Sequence, residues 1–443
     1  MSAALPPDFV QRVEKDSFLG QGLLTALETV SPVSIRRNPL KTKAVLPELK
    51  AIPWCSHAHY LTERPFFTKD PLFHAGTYYP QEAGSMFLDT VLQQLDLPEA
   101  PMVLDLCAAP GGKSTLIAAH LSGKGLLVSN EVIQPRARIL KENLMKWGAI
   151  NTIVTNNDPA DFQRIPAFFD LIVVDAPCSG EGMFRKDHAA RDEWSPGNVE
   201  LCAGRQKRIV MDVWESLQPG GFLVYSTCTF NAAENEDNVS WLLGELDAEL
   251  IPVDTTHFTP GRAGIGLYAL PDRVDTEGFF LAVIRKKGEA GPRRLKLKKT
   301  AEVTRVKDKT PFQELADLTH CEVLQWNDYT FALPEAFAEE AIFLQHHLRT
   351  IKLGTELGET GRKGLIPHEA LSLCPQLLQA SIPRIPLTLE QALSYLHGDT
   401  FAIDGQHGFS LMTYENEPLG WIKHLGNRFN NLYPKEWRIR MKL

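Results

Sequence analysis

A glycine-rich turn joins a predicted strand to a predicted helix in the stretch Leu104-Asp105-Leu106-Cys107-Ala108-Ala109-Pro110-Gly111-Gly112-Lys113. The strand ends at Asp105, and the two glycines that follow allow the backbone to approach a ligand closely. A P-loop is disfavoured because its G-x-x-x-x-G-K-S/T pattern needs glycine at position 107, where this chain has cysteine. The turn therefore predicts a site for a nucleoside cofactor without a triphosphate, and a purely structural turn is the alternative.

Strand and helix patterns alternate on both sides of this turn. Strands are predicted at 102–106, 125–130, 151–155, 170–175, 221–227 and 278–285. Helical patterns separate several of them, near 113–121, 135–147, 198–217 and 232–246. This alternation predicts a parallel sheet with crossover helices and an antiparallel strand at its end. We therefore expect an α/β, Rossmann-like domain over residues 86–286.

Smaller modules are predicted on either side of this domain. Residues 1–85 begin with amphipathic helical patterns and continue into a short β-like segment, which predicts a small α+β module. Residues 287–310 form a basic linker. Two further pieces follow, a small intermediate module over 311–370 and a C-terminal piece over 371–443 that ends in aromatic and basic residues.

The composition is that of an ordinary globular protein, with 44% hydrophobic and 23% charged residues in a chain of 443. No apolar run reaches membrane-spanning length, and the N-terminus lacks the pattern of a secretion signal. Seven cysteines occur without a C-x-x-C pair, which predicts neither a disulfide framework nor a zinc site. We expect a cytoplasmic protein with no membrane segment and no bound metal.

Charge is unevenly distributed along the chain. The net charge is −8, yet residues 285–299 carry eight basic side chains and one acid. Such a cluster can form a phosphate-binding stripe on an otherwise acidic protein. A solvated linker between domains is the equally weighted alternative.

Three acids follow successive predicted strands. Glu131 comes about 20 residues after the glycine turn, where a carboxylate typically accepts hydrogen bonds from ribose hydroxyls. Asp158 follows the third strand, at a position suited to an adenine amino group, and Asp175 ends the fourth. Each acid alone is better explained as a helix cap or a solvated loop acid. Together with Asp105 and Gly111, the three predict a site for S-adenosylmethionine, whose cationic sulfonium suits several carboxylates.

Two cysteines, Cys178 and Cys228, also end predicted strands. Because ligands of open α/β sheets bind outside the carboxyl ends of the strands, both thiols are expected in the cofactor crevice. A thiolate that adds to C6 of a pyrimidine makes C5 nucleophilic enough to accept a methyl group. An acid near ring N3, Asp175 by position, would stabilise that adduct. Burial without chemistry is the alternative for each thiol, and their spacing does not rank them.

Three motifs resemble those of the Sun-type (NSUN) RNA cytosine-C5 methyltransferases. They are Asp105-x-Cys107-Ala108-Ala109-Pro110-Gly111-Gly112-Lys113, Asp175-Ala176-Pro177-Cys178-Ser179-Gly180-Glu181-Gly182 and Ser226-Thr227-Cys228-Thr229. The resemblance implies that Cys228 is the nucleophile, that Cys178 assists release of the product, and that Lys113 and Asp175 lie at the active site. It also implies cofactor contacts from Cys107, Ala108, Ala109, Pro110, Gly111, Gly112, Lys113, Glu131, Asp158 and Asp175.

The C-terminal piece resembles that of a bacterial subfamily that acts on 16S ribosomal RNA, through Trp421 and Asn431-x-Tyr433-Pro434-Lys435. This resemblance implies a PUA-like RNA-binding domain over 371–443 and 16S ribosomal RNA or the small ribosomal subunit as partner. We also expect the module over 1–85 to bind RNA and the enzyme to be a monomer. Phosphate contacts are expected from 285–299 and from the helix around 136–146. The alternatives are the same reaction on transfer RNA or large-subunit RNA, a DNA cytosine methyltransferase, and a non-catalytic RNA-binding assembly factor.

Overall fold

A computed structural model describes residues 4–41, 49–296, 302–361, 364–426 and 428–441. Its α-helices are α1 Pro7–Lys15, α2 Gly20–Leu27, α3 Pro71–His74, α4 Leu88–Gln94, α5 Gly112–Leu121, α6 Gln134–Trp147, α7 Ala189–Glu193, α8 Pro196–Trp214, α9 Glu236–Glu245, α10 Thr310–Gln313, α11 Ala338–His347, α12 Glu369–Ser372 and α13 Leu389–His397.

The strands form four sheets. They are β1 Val33–Arg37, β2 Ala58–Leu61, β3 Tyr78–Pro80, β4 Met102–Asp105, β5 Leu126–Asn130, β6 Thr152–Thr155, β7 Phe169–Asp175, β8 Leu217–Thr227, β9 Ala248–Ile251, β10 Thr259–Pro260, β11 Leu267–Ala269, β12 Phe279–Lys286, β13 Val303–Arg305, β14 Cys321–Trp326, β15 Tyr329–Pro334, β16 Thr350–Leu353, β17 Thr355–Gly361, β18 Gly364–Pro367, β19 Arg384–Pro386, β20 Gly408–Tyr414, β21 Glu417–His424 and β22 Phe429–Asn431.

A ten-stranded sheet forms the centre of the molecule. Strands β6, β5, β4, β7 and β8 lie parallel in that spatial order, and β12 joins β8 antiparallel. The predicted parallel sheet with a terminal antiparallel strand is therefore confirmed. The strand order reverses between β4 and β7, so a ligand crevice is expected at their carboxyl ends.

Apolar residues that are buried on both faces explain why these segments form strands. Every residue of β4, β5 and β6 is buried, as is typical of parallel strands covered by helices on both sides. The largest difference from the sequence-based bounds is β8, which begins at Leu217 and not at 221. Its first residues pair with β7 across an irregularity in register, so the Pro219-Gly220-Gly221 segment is part of the strand although its composition indicates a turn.

The N-terminal module is fixed to the helix that follows the glycine turn. The sheet of this module has the order β2-β1-β3, and the side chain of Arg36 on β1 is buried. The guanidinium of Arg36 donates to Thr115 Oγ1 at 2.6 Å and to the Gly112 carbonyl at 3.2 Å, both in α5. A buried arginine needs such partners, so this cation holds the first turn of α5 against the N-terminal module.

The segment between the linker and the C-terminal piece contributes a strand to the central sheet. Its own sheet has the order β13-β14-β15-β17-β18, but β16 pairs antiparallel with β6. The buried Lys352 of β16 donates to the carbonyl and the hydroxyl of Thr152, at 3.0 and 2.6 Å. Residues 311–370 are thus joined to the central sheet, whereas the sequence indicated a small module of their own.

The C-terminal piece is a four-stranded sheet of order β19-β20-β21-β22, with α13 packed against it. Trp421 on β21 is fully buried and donates its indole N–H to the carbonyl of His368. The helix α12 crosses the expected boundary at residue 370. Its residues are buried, and the helix packs against β17 of the preceding segment and β21 of the C-terminal piece.

Candidate active site

A cavity of about 360 Å³ opens at the carboxyl ends of β4, β7 and β8. The N-terminal module contributes residues around β3, the glycine turn forms one wall, and the segment before β12 forms another. The lining residues are Tyr79, Pro80, Gln81, Glu82, Ser85, Asp105, Cys107, Ala108, Ala109, Pro110, Gly112, Lys113, Asp175, Gly182, Met183, Lys186, Cys228, Glu277, Gly278 and Phe279. The crevice therefore lies where the reversal of strand order places it.

Asp105 presents a carboxylate oxygen without a protein partner at this cavity. Its Oδ2 accepts from Ser114 Oγ at 2.6 Å, while its buried Oδ1 has no hydrogen bond. Burial raises the pKa of Asp105 to about 7. An unpartnered buried carboxylate oxygen favours a cationic ligand group, so the turn fits a cofactor that carries a positive charge.

Glu131 and Asp158 lie outside the lining of this cavity. Glu131 is buried at the end of β5 and accepts from the Ile133 N–H at 2.9 Å. Asp158 is 46% exposed, and its Oδ1 accepts from the Ala160 N–H at 3.1 Å as the cap of a short helix. The structure thus assigns a capping contact to Asp158, which is the structural alternative for this acid.

Asp175 and Lys113 form an ion pair inside the cavity. Lys113 Nζ lies 2.8 Å from Asp175 Oδ2, and Ser226 Oγ donates to Asp175 Oδ1 at 2.9 Å. Burial lowers the pKa of Lys113, but the charge and hydrogen bond of Asp175 outweigh burial and raise that pKa overall. Lys113 is therefore held as an ammonium, and Asp175 is anchored from both sides.

The two strand-end cysteines meet at this cavity. The Sγ atoms of Cys178 and Cys228 are 3.2 Å apart, and Cys228 lines the cavity, whereas Cys178 does not. The hydrogen bond with Cys228 and burial raise the pKa of Cys178 well above its usual value. Cys178 is therefore a protonated thiol beside the thiol that faces the cavity.

A buried polar network ties the two cysteine loops together. Glu234 accepts from the Ser179 N–H at 3.0 Å, from Gln206 Nε2 at 2.7 Å and from Asn231 Nδ2 at 2.7 Å. Ser179 Oγ and Thr229 Oγ1 are 3.0 Å apart, which adds a direct link between the loops. This network was not predicted from the sequence, because the Asn231-x-x-Glu234 spacing after Cys228 is the only sequence feature that indicates it.

Gly182 is required where the Cys178 loop crosses the Cys228 strand end. Its N–H donates to the Cys228 carbonyl at 2.8 Å. A Cβ at this position would lie 3.0 Å from that carbonyl oxygen and 3.0 Å from the Gly278 carbonyl oxygen. The close approach of three backbone segments thus explains this glycine.

The described part of the basic segment, residues 285–296, begins in β12 and contacts the end of the sheet opposite the cavity. Lys286 donates to the carbonyls of Trp214 and Leu217, and Arg293 pairs with Asp170, at the edge where β7 and β8 begin. Lys287 and Arg285 lie near Asp247 and Glu249, at 3.4 and 3.8 Å. Lys298 and Lys299 lie outside the described residues. These contacts favour the linker interpretation over a phosphate-binding stripe beside the cavity.

Three basic side chains of α6 are also engaged within the protein. Arg136 donates to the Ala109 carbonyl at 2.9 Å and therefore supports the glycine turn. Lys141 pairs with Glu356 at 2.6 Å, and Lys146 pairs with Glu142 at 2.6 Å. The RNA phosphate contacts expected from this helix would compete with these internal contacts.

Two searches of the described ranges were negative. Among those residues, no group of three or more His, Cys, Asp or Glu could hold a metal ion. Within the same part of the chain, no helix is long and apolar enough to cross a membrane.

Family comparisons match the N-terminal module, the central domain and the C-terminal piece. Residues 92–285 match the family "16S rRNA methyltransferase RsmB/F", residues 5–83 match the "N-terminal domain of 16S rRNA methyltransferase RsmF", and residues 383–439 match the "Methyltransferase RsmF PUA domain". The expected PUA-like fold at the C-terminus is therefore confirmed.

Comparisons with individual proteins agree. A "Ribosomal RNA small subunit methyltransferase F" of Erwinia tasmaniensis is 32% identical, over 97% of this chain and 96% of its own. The solved structure of a "Methyltransferase Homolog Protein from Pyrococcus Horikoshii" is 30% identical, with a TM-score of 0.53 over 64% of this chain and 100% of its own. "NSun6 from Pyrococcus horikoshii with SFG" shares the fold at 22% identity, with a TM-score of 0.56 over 65% of this chain and 99% of its own.

Fold, domain matches and near-full-length similarity lead to one conclusion: the chain belongs to the 16S rRNA methyltransferase RsmB/F family.

Proposed function

We propose that this ribosomal RNA methyltransferase transfers a methyl group from S-adenosylmethionine to C5 of a cytosine in 16S ribosomal RNA, through a covalent bond between Cys228 and C6. The observation that carries the proposal is the cavity itself. It brings Cys228, the Lys113–Asp175 ion pair and the glycine turn to one space, with the second thiol 3.2 Å from the first.

The chain's own residues supply the activation of the base. Cys228 Sγ forms a bond to C6 and gives up its thiol proton to the Lys113–Asp175 pair, while the Lys113 ammonium supplies, through the Asp175 carboxylate, the proton that N3 takes up as the ring loses its aromaticity. Lys113 keeps Asp175 oriented through the 2.8 Å ion pair. C5 is then the nucleophilic carbon that accepts the methyl group.

Product release needs loss of the C5 proton and cleavage of the bond between Sγ and C6. We assign a part in this step to Cys178, because its Sγ lies beside the sulfur that must leave. As the bond between Sγ and C6 breaks, the Cys178 thiol gives its proton to the Cys228 sulfur, and the Cys178 thiolate that results takes the proton from C5. The C5–C6 double bond forms again, and N3 returns its proton to Asp175.

The proposed cofactor contacts come from the glycine turn, which lines the cavity, and from the acids that follow β5 and β6 outside its lining. S-adenosylmethionine, when bound, supplies an electrophilic methyl group on its sulfonium. Asp105 Oδ1 would accept from its ammonium group, and the turn 107–113 would border its methionine part. Glu131 remains the proposed partner of the ribose hydroxyls. Both contacts of Asp158 use Oδ1, so Oδ2 is the oxygen proposed for the adenine amino group.

Bisulfite mapping of ribosomal RNA tests the substrate. RNA is compared from cells with the gene, without it, and with the gene encoding Cys228→Ala. We expect at least one 16S cytosine to be protected from conversion only when the wild-type gene is present. The proposed substrate would be contradicted if the protection of 16S cytosines were the same in all three RNA samples. It would also be contradicted if loss of the gene removed protection in transfer RNA or large-subunit RNA. The cytoplasmic location and the monomeric state stay predictions.

A further inference from the structure

A basic groove of about 680 Å³ opens beside the cavity of the candidate active site. Lys186 and Glu277 line both spaces, so the groove and the cavity share a wall. The groove is lined by Leu27, Glu28, Thr29, Val30, Ser31, Pro32, Val33, Arg64, Arg185, Lys186, His188, Arg191 and Glu277. It therefore runs between the N-terminal module and the segment that follows the Cys178 loop.

Buried and partly buried arginines fix the shape of this groove. Arg185 donates to the Thr276 carbonyl at 2.7 Å, to Thr29 Oγ1 at 2.8 Å and to the Val30 carbonyl at 2.7 Å. Arg191 donates to Glu28 at 3.0 Å and to the Leu27 carbonyl at 3.2 Å. These bonds hold the loop after α2 in place, so the groove exists before any ligand binds.

The charge of the groove contrasts with that of the whole chain. Four cationic and two acidic side chains line it, in a protein whose net charge is −8. Arg64, Lys186 and His188 are exposed, and the side chain of Val30 is 92% exposed. A cationic channel with an apolar face is suited to a single nucleic-acid strand.

Lys186 occupies the point where the groove meets the cavity. Two lysines line the cavity, but Lys113 is only 11% exposed and is paired with Asp175. Lys186 is 42% exposed, and its Nζ lies 3.4 Å from Glu277 Oε1. Because Ser31 Oγ also donates to Glu277 Oε1 at 2.7 Å, the carboxylate keeps a partner if Lys186 turns toward another anion.

We propose that this groove binds the single-stranded RNA segment that adjoins the target cytosine, with Lys186 on the phosphate at the cavity mouth and Arg64 on a phosphate further along. This inference rests on the proposed function, because it places the target base in the cavity. A base that reacts inside a cavity leaves its stack, while its phosphodiester stays outside and the strand continues over the surface. The groove is the basic surface continuous with that exit.

Fluorescence anisotropy with the full chain and a labelled single-stranded RNA oligonucleotide tests this inference, in a series of salt concentrations. Each single-strand phosphate contact contributes about 0.7 to the slope of log affinity against log salt concentration. We expect Lys186→Gln and Arg64→Gln each to reduce the slope by about that amount and to weaken binding at low salt. Lys124→Gln is the matched control, since Lys124 is 70% exposed and precedes the amino-terminal end of β5, whereas the cavity opens at the carboxyl ends of the strands.

The inference is overturned if Lys186→Gln and Arg64→Gln have the same slope of log affinity against log salt concentration as the wild type. Unchanged thermal unfolding midpoints of the two variants confirm that the comparison is between folded proteins. An equal reduction in Lys124→Gln would overturn it as well, because it would show a diffuse charge effect. The assay contains no S-adenosylmethionine, so its result is independent of methyl transfer. Wild-type protein that shows the groove-dependent slope but forms no 5-methylcytosine contradicts the proposed reaction alone.

Discussion

Cys178 Sγ lies 3.2 Å from Cys228 Sγ, although fifty positions separate the two residues in sequence. The pairing of β7 with β8 explains this contact, because Asp175 and Ser226 are register partners near the ends of the two strands. Cys178 lies three residues after the end of β7 and Cys228 lies one residue after the end of β8, so both thiols lie on the same side of the sheet. In the proposed reaction, a base bonded to Cys228 would therefore have the Cys178 thiol beside the sulfur that must leave.

Single substitutions should separate the roles of the two thiols. We expect Cys228→Ala to form no covalent protein–RNA complex, because it lacks the sulfur that attacks C6. Cys178→Ala should accumulate that complex, because release of the adduct is slowed. Denaturing gel electrophoresis after incubation with RNA and S-adenosylmethionine measures both. Cys202→Ala is the control, since Cys202 is buried on α8 and lies outside the cavity lining. Accumulation in Cys228→Ala would reverse the assignment.

Cofactor affinity should depend on the ionisation of Asp105. Burial raises the pKa of Asp105 to about 7, so the carboxyl is partly protonated near neutral pH. A cationic cofactor group favours the ionised form, and the affinity for S-adenosylmethionine should therefore rise from about pH 6 to about pH 8. Asp105→Asn should bind more weakly and lose this rise. Isothermal titration calorimetry across that range would disprove the assignment if both proteins showed the same profile.

The same group fixes the sign of a stability effect without cofactor. Asp105 binds a proton more tightly in the folded protein, with a pKa of about 7, than at its ordinary value of 3.8. Its stabilising contribution is present below about pH 3.8 and is lost as pH rises through about 7. The unfolding free energy of wild type, relative to Asp105→Asn, should thus fall between those pH values. Urea unfolding at several pH values measures this difference.

Glu356 should contribute to stability through contacts between the central domain and the segment that follows it. Burial alone raises the pKa of Glu356, but the hydrogen bond from His368, with the charges of His368 and Lys141, lowers it to about 2. This contribution is present above about pH 4.5 and is lost as pH falls through about 2. Glu356→Gln should reduce the unfolding free energy by about 3 kcal/mol at neutral pH.

The matched control for Glu356→Gln is Glu339→Gln. The side chain of Glu339 is 64% exposed and lies 3.9 Å from Arg305, so its ion pair is weak. The unfolding free energy of Glu339→Gln should stay within about 0.5 kcal/mol of the wild-type value. If the two variants lost the same unfolding free energy, the contacts of Glu356 with Lys141 and His368 would contribute no more to stability than an exposed ion pair.

Gly182→Ala should impair catalysis by displacing the Cys228 strand end. The added methyl group would meet backbone oxygens of residues 228 and 278 at 3.0 Å, and backbone cannot rotate away as a side chain can. We expect slower formation of the covalent complex and a loss of about 1–3 kcal/mol in stability. Gly204→Ala on α8 has open space around its Cβ and should retain activity. Wild-type rates in Gly182→Ala would contradict this account.

Local patterns in the sequence were sufficient to predict the central sheet. Every residue of β4, β5 and β6 is buried, and each strand contains two or three consecutive apolar residues. Each strand begins and ends within one residue of its expected bounds. The carboxyl-end rule then predicts that the glycine turn, Asp175 and Cys228 share one crevice. Burial on both faces makes such strands recognisable, because their apolar residues follow one another without the alternation of a half-buried strand.

Long-range contacts between polar side chains could not be predicted in this way. The Glu234 network joins loops that are about fifty residues apart, and no periodicity marks it. The basic cluster indicated a phosphate-binding stripe as readily as a linker, because composition does not show that Arg293 faces Asp170. Pairing of β16 with β6 was missed for a similar reason, since about two hundred residues separate the partners.

The pairing of β16 with β6 determines where this chain can be shortened. A fragment that stops at residue 286 would retain every cavity-lining residue, yet it would leave one side of Thr152–Thr155 without its antiparallel partner. Unpaired backbone groups along a sheet edge invite pairing with another molecule and hence aggregation. The smallest soluble catalytic fragment should therefore extend at least through Leu353, well beyond the last residue that the reaction uses.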